Sequence, residues 1–448
     1  MPTLKSLTNV HLTGLARDLA AREESGRPIR LGVIGSGEMG TDLVTQGALM
    51  RGIEVAAIAT RRPYTARAAM KIAFGDESRA AEVDTQSKVT AAIESGRIAI
   101  TSNELLVTNP LIDVVIDATG KPGVAADYDL MAMEHGKHLV MMNVEADVTI
   151  GPYLKREADR LGVVYSVGAG DEPSSCMELI EFATALGYRI IAAGKGKNNP
   201  LNHDAVPDDY REEAERRNMN PRMLVEFVDG SKTMVEMCAI ANATGLVPDI
   251  PGMHGPRADR DDMVKVLIPR EDGGILGRKG VVDYTIGKGV APGVFVIVEA
   301  EHPRIIERMD DLHIGHGPYY AFFRPYHLTS LEVPLTAARI MLYGRPDMVP
   351  MAEPVAEVCA VAKRDLAPGE RFDAIGETCY RSFTMTIADA RAKRAMPVGL
   401  LEGGKVLEPV KKGDLLTQDN ATPDKTTNLY RLRRAQDEMF GLAGAAVG

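Results

Sequence analysis

The chain has 448 residues, 45% of them hydrophobic and 25% charged, with a formal net charge of -10. Such a length calls for two or three domains with proper cores, and the acidic balance excludes nucleic acid as the main partner, since phosphate backbones select basic surfaces. Its four cysteines, Cys176, Cys238, Cys359 and Cys379, form no C-x-x-C pair, which excludes a disulfide framework and a zinc site and fits a reducing compartment.

At the start, Leu12, Leu15 and Leu19 fall at helical spacing and predict a short amphipathic helix. No apolar run resembles a signal peptide, and none approaches the roughly 20 residues of a membrane span. A cytoplasmic protein with no membrane partner is expected. From Ile29 the runs "IRLGVIG", "IEVAAIAT", "DVVIDAT", "KHLVMMN" and "GVVYSVG" alternate with helical stretches, the rhythm of a doubly wound parallel sheet of Rossmann type. Residues 1–170 are assigned to it. Residues 171–350 mix strands ("YRIIAAGK", "VFVIVEA") with a helix ("SKTMVEMCAIANATG") and read as an α+β substrate domain. Residues 351–448 carry short β runs broken by Pro-Gly and Gly-Gly turns, then a final short helix. They read as a small β module, and the fold class expected is α/β.

The run "GVIGSGEMG" supplies Gly35, Ser36, Gly37, Glu38, Met39 and Gly40 as G-x-G-x-x-G between a strand and a helix. The first glycine permits the turn, the second admits a pyrophosphate, and the third lets the helix pack on the strand. An NAD enzyme usually places a carboxylate at the end of the next strand. This chain has Arg61 and Arg62 there instead, whose guanidinium forks suit a 2′-phosphate, so NADP(H) is the expected cofactor. The fourth strand, "DVVIDATGKPG", delivers Thr119, Gly120 and Lys121 to the carboxyl edge of the sheet, where open α/β folds hold ligands.

A different kind of strand end follows in "AAGKGKNNPLNHD": Lys195, Lys197, Asn198, Asn199 and His203 leave an apolar strand together. Two lysines with amide donors beside them suit a phosphate or oxyanion. Lys232 and Glu236 stand at i and i+4 on an otherwise apolar helix and form a candidate proton-transfer pair. Asp171 and Glu172 are paired carboxylates after the last Rossmann strand, able to take Mg²⁺ or Mn²⁺. His313, His316, Tyr319, Tyr320, Arg324 and His327 crowd one segment, read as a loop lining the active site or as a dimer contact.

The order "GVIGSGEMG", "VGAGDEPSS", "GKGKNNP", "DGSKTMVEM" resembles the homoserine dehydrogenase family over roughly residues 29–245. In that family a strand ends Gly-x-x-Asn-Gly-Thr, and a following helix carries an Asp and a Lys four apart. Here Lys197-Asn198-Asn199 and the pair Lys232 and Glu236 stand at those positions, departures at the residues that do the family's chemistry. The family's Asn-Lys pair falls on Asn143-Val144, so the resemblance carries only Asn143 to the cofactor site. The C-terminal "AKRDLAPGERF" and "MPVGLLEGGKVLEPVKKGDLLTQDN" resemble the SAF module, a small β unit found in sialic-acid synthases.

A homoserine-dehydrogenase-like front half fused to an SAF module resembles the 1-deoxy-D-xylulose 5-phosphate reductoisomerase-like proteins. The resemblance implies an NADPH-dependent reductoisomerase of isoprenoid biosynthesis, giving 2-C-methyl-D-erythritol 4-phosphate from a small phosphorylated sugar, and a homodimer. Two other readings stay open. One is a dehydrogenase of another sugar, sugar acid or polyol; the other is a non-catalytic sensor that binds a dinucleotide or carbohydrate.

Overall fold

The computed structural model describes residues 10–198, 200–217 and 219–441. Asn199 lies outside the described residues. The chain clusters into two compact units, the first made of residues 1–147, 153–171 and 328–349 and the second of 148–152, 172–327 and 350–448. Residues 328–349, placed by chain order in the middle domain, therefore return to the first unit, and the C-terminal residues gather with the second.

The first unit is built on seven parallel strands: β1 (Ile29–Ile34), β2 (Ile53–Ala59), β3 (Ala80–Glu82), β4 (Ile98–Thr101), β5 (Val114–Asp117), β6 (His138–Met141) and β7 (Tyr165–Val167). Their order across the sheet is β3-β4-β2-β1-β5-β6-β7. β1, β2 and β5 are apolar almost throughout and buried, as strands covered on both faces must be. The short strands β3 and β4 are absent from the sequence reading, because "AAE" and "IAIT" are too brief to show a period. "DVVIDATG" is consequently the fifth strand and not the fourth. The expected N-terminal helix spans Gly14–Glu24 and buries Leu19, while Leu12 precedes it.

The second unit holds a five-stranded sheet of β8 (Arg189–Lys197), β9 (Val247–Pro248), β10 (Val281–Ile286), β11 (Val294–Glu299) and β12 (Tyr319–Arg324), in the order β12-β11-β8-β10-β9. β8 runs parallel to β10 and antiparallel to β11, so it sits at the centre. The helices Glu172–Ala185 and Ser231–Thr244 pack against it. The aromatic segment expected as a loop contains the edge strand β12. Tyr319 and Tyr320 within it are buried and donate to Asp272 Oδ2 and Asp310 Oδ1, each at 2.6 Å. The C-terminal residues form two small antiparallel pairs, β13 (Ala356–Ala362) with β14 (Tyr380–Thr386) and β15 (Lys405–Val406) with β16 (Ala421–Thr422). Among the described residues no helix is long and apolar enough to cross a membrane.

The last helix, Asn428–Met439, is fastened by a buried ion pair. Arg433 donates through both terminal nitrogens to the Glu357 carboxylate on β13 and through Nε to Asp437 at 2.8 Å. Both side chains are only 6% exposed. Removing one member strands a charge in the interior, a loss of about 3–5 kcal/mol. Arg433→Met should accordingly lower the urea midpoint by that equivalent; a midpoint within about 0.5 kcal/mol of wild type would show that the helix is held by other contacts.

Candidate active site

In the first unit, β1 and β5 are neighbours in register, with Ile34 beside Asp117. The chain leaves β2 on one side of β1 and β5 on the other, so their carboxyl ends enclose the crevice where such sheets take ligands. Gly35 has φ 106° and an added Cβ there would lie 2.9 Å from the Ala118 carbonyl oxygen. A Cβ on Gly40 would come within 2.3 Å of Gly35 O, whereas one on Gly37 meets open space. The loop is thus close-packed behind and open in front, and Gly37 opens the helix Glu38–Leu49, whose N-terminal N–H groups suit a pyrophosphate.

Ser36 Oγ bonds the hydroxyl of Thr60 at 2.9 Å, tying the glycine loop to the end of β2. Arg61 and Arg62 follow and are exposed. On the other side, the buried Asp117 carboxylate accepts from Thr119 N (2.9 Å), Thr119 Oγ1 (2.6 Å) and Asn143 Nδ2 (2.9 Å). Asn143 in turn caps the helix Val144–Leu161 by accepting from Ala146 N. Burial pushes the Asp117 carboxyl up to about 6, against the pull of those hydrogen bonds. Asp117 is a residue that sequence reasoning missed: it sets the geometry of Thr119 and Asn143 from inside the sheet. Gly120 has φ 58° and Lys121 precedes the helix Pro122–Glu134. The residues present fit a dinucleotide.

The chemistry-bearing cluster of the second unit lies on β8. Side chains two apart on a strand share a face, so Lys195 and Lys197 point together. They are not a solvated strand exit: they are 5% and 7% exposed. The Lys195 ammonium donates to both Glu172, at the start of the helix Glu172–Ala185, and Glu236, on the helix Ser231–Thr244. Burial alone would pull its pKa down, but the two carboxylates more than reverse that and hold it above the usual lysine value. Lys197 donates to the Phe227 carbonyl oxygen at 2.7 Å. Burial first, and the Lys195 charge second, push it down to about 8. One lysine is therefore held in its charged form, and its neighbour gives up its proton more readily than an ordinary lysine.

Two of the residue pairs read from the sequence have further partners in the structure. The acidic partner read for Lys232, Glu236, is fully buried and held by Lys195; Lys232 is half-buried in the first turn of the same helix. Lys195 and Lys197, read from the sequence as a phosphate site, are each engaged by protein acceptors. Asn198 is exposed, and His203 Nδ1 lies 3.1 Å from Asp229 O. Of the aromatic segment, His327 reaches the cluster, with Nε2 3.5 Å from Glu172 Oε1. Asp171 closes the first unit and Glu172 opens the second. The carboxylates of Glu172 and Glu236 approach within 4.8 Å, near enough to share a divalent cation. The Lys195 ammonium now supplies the positive charge between them, so a metal and this lysine are alternatives at one position.

A dinucleotide cradle on a parallel sheet, with a buried lysine pair in a following α+β unit, defines an NAD(P)-dependent oxidoreductase of α/β fold. Residues 31–167 match the family model of the homoserine dehydrogenase NAD-binding domain, and residues 170–333 match that of the catalytic domain of oxidoreductase DRL. None of the curated proteins matches the sequence. Among solved structures, a "probable dehydrogenase from Thermotoga maritima" is 14% identical, with 71% of this chain and 90% of that one covered and a TM-score of 0.41. The amine dehydrogenase of Mycobacterium smegmatis is 15% identical, covering 72% and 94%, at 0.38. DOX-P reductoisomerase in complex with magnesium is 14% identical, covering 47% and 57%, at 0.32. Scores this low carry no argument about the reaction, which has to come from the site.

Two measurements follow from this geometry. Arg61→Ala with Arg62→Ala should raise the Kd for NADPH and leave that for NADH little changed; an unaltered preference would remove both arginines from the cofactor site. For Lys197 the folded pKa lies below the ordinary 10.5. The unfolded chain therefore binds more protons between about pH 8 and pH 10.5, and this group adds stability as pH rises through that window. NMR of ¹³C-lysine-labelled protein should show one resonance titrating near pH 8 that Lys197→Gln abolishes. A spectrum in which every lysine titrates near 10 or above contradicts the assignment.

Proposed function

We propose that the protein transfers hydride between NADP(H) and a small polyhydroxylated, sugar-derived substrate, with Lys195 and Lys197 as the catalytic groups. The observation that carries this is the pairing on β8 of a lysine held charged by Glu172 and Glu236 with a second lysine pushed down to about 8. Bound NADPH supplies the hydride. Reduction of a carbonyl builds negative charge on its oxygen, and an ammonium already fixed by two carboxylates stabilises that charge without reorganising. Each ammonium has three donors, so Lys195 keeps one N–H for the substrate after its bonds to Glu172 and Glu236. Lys197, titrating near the working pH, exchanges the proton with the substrate oxygen. In the oxidative direction the roles reverse, and neutral Lys197 takes the hydroxyl proton as hydride leaves.

A second reading is favoured by the match of residues 170–333 to the DRL catalytic-domain model, together with the resemblance read from the sequence. In it the substrate is 1-deoxy-D-xylulose 5-phosphate, whose carbon skeleton rearranges before reduction. The same pair serves that step, since the rearrangement passes through charge on vicinal oxygens. A divalent cation taken by Glu172 and Glu236 would compete there with the Lys195 ammonium. The SAF-like character of the C-terminal residues and a homodimer belong to this reading as well.

An assay of NADPH consumption with 1-deoxy-D-xylulose 5-phosphate, beside its unphosphorylated form, and of NADP⁺ reduction with polyols and sugar acids, separates the two. Turnover confined to the phosphorylated ketose supports the reductoisomerase; NADP⁺ reduction by a polyol or sugar acid supports the plain dehydrogenase. Tight NADPH binding with no turnover on any of them would leave a sensor. With the active substrate, Lys197→Met should cut kcat on the order of a hundredfold or more and move the pH dependence away from 8, while NADPH affinity stays near that of wild type.

A further inference from the structure

With Lys195 and Lys197 engaged by protein acceptors, the cation that stands out is Arg381. It lies on β14, paired in register with Val361 of β13, and is half-buried. Among the described residues none accepts a hydrogen bond from its guanidinium or forms an ion pair with it; its one contact is with the Phe383 ring, 5.6 Å from the centroid. Taking a guanidinium partly out of water without an anion is costly, and its planar fork matches the oxygens of a phosphate or carboxylate.

The surroundings tie the strand of this group to the segment that Lys197 also reaches. Three side chains or strands fasten to one short segment, residues 227–231. Lys197 donates to Phe227 O at 2.7 Å, His203 Nδ1 lies 3.1 Å from Asp229 O, and Ser382 N, next to Arg381, donates to Ser231 Oγ at 2.9 Å. The acids nearby are already engaged. Asp229 forms a buried ion pair with Lys363 at 2.6 Å, and Asp204 pairs with Lys412 at 2.7 Å. Burial pulls the Arg381 guanidinium below its usual value, and the charges acting on it in turn are those of Asp229, Tyr284 and Asp204. His203 precedes Asp204 in the chain, and both it and Arg381 lower the Asp204 carboxyl.

We propose that Arg381, with His203 beside it, is the anion subsite of the substrate, taking a phosphate monoester or a carboxylate next to Lys197. This rests on the reading of Lys197 as a catalytic group. It also gives residues 350–448 a task in the site, since Arg381 lies outside the matched catalytic domain, residues 170–333.

Titration calorimetry of the full-length protein at constant ionic strength, with inorganic phosphate and separately with acetate, tests the subsite. Saturable binding of either anion is expected in the wild type; phosphate alone assigns a phosphate monoester and acetate alone a carboxylate. Arg381→Gln should weaken that binding on the order of tenfold or more, and Arg381→Lys by less, since it keeps the charge and loses the fork. NADPH binding, followed by fluorescence, should not change in either variant. Equal anion affinity in Arg381→Gln and wild type overturns the proposal, as does the absence of saturable binding in the wild type. If circular dichroism shows Arg381→Gln unfolded, the lysine variant decides: a several-fold loss supports the subsite and unchanged affinity overturns it. A wild type that binds phosphate through Arg381 but not NADPH would instead defeat the proposed reaction and leave the subsite standing.

Discussion

The second unit depends on how Lys195 is kept charged at the centre of a sheet. An isolated ammonium there would cost several kcal/mol, and the same is true of each carboxylate facing it. Glu172 and Glu236 come from two different helices, and each is brought to β8 by the packing of its helix. The three residues are therefore a condition on the fold: neither helix can shift along β8 without uncovering a buried charge. The same arrangement sets the chemistry of Lys197. Its pKa falls because it is buried beside an ammonium that cannot itself give up its proton. Structure and reactivity are one electrostatic problem here.

Buried charge pairs recur in this unit and do a second kind of work. Lys363 reaches from the C-terminal residues to Asp229, just before the helix that carries Glu236, and also donates to the carbonyl oxygens of Ala205 and Glu377. Arg433 ties the last helix to Glu357. Each pair joins segments far apart in the chain, and each would be poor in stability terms beside a well-packed apolar contact. What such pairs provide is register, because a misplaced segment leaves a charge unmet. That is how the C-terminal residues gather with the five-stranded sheet and how β14 comes to carry Arg381 past the start of the Ser231–Thr244 helix.

How much of this was legible in sequence depended on how local each requirement is. The glycine loop could be read because its needs, a turn at Gly35 and close backbone approach at Gly40, are met within six residues. Lys195 and Lys197 could be found by their contrast with an apolar strand, but not interpreted: their partners lie on other elements, and Glu172 carried no signal distinguishing it from a capping residue. Pairing Lys232 with Glu236 relied on helical spacing alone, which could not reveal that Glu236 is buried and also met by Lys195. Asp117 was missed because it looks ordinary in its own strand. β3 and β4 were missed because three or four residues show no period, and the return of residues 328–349 to the first unit is a long-range event that chain order cannot reveal.

The alternation Gly194-Lys195-Gly196-Lys197 can now be understood as one device. A Cβ on Gly194 would sit 1.7 Å from Asp283 O on the neighbouring β10, and one on Gly196 would sit 2.0 Å from Val290 O. Glycine weakens a strand by its flexibility, so two in the central strand are a cost that any side chain would relieve if it could fit. None fits, because the adjoining backbone has closed onto the strand at both places. The lysines that alternate with the glycines are buried, and their ammonium groups meet Glu172, Glu236 and the Phe227 carbonyl. The polar strand end in an apolar strand is thus not a surface feature at all: the glycines let neighbouring backbone close onto β8, and the lysines between them are buried, protein-paired charges.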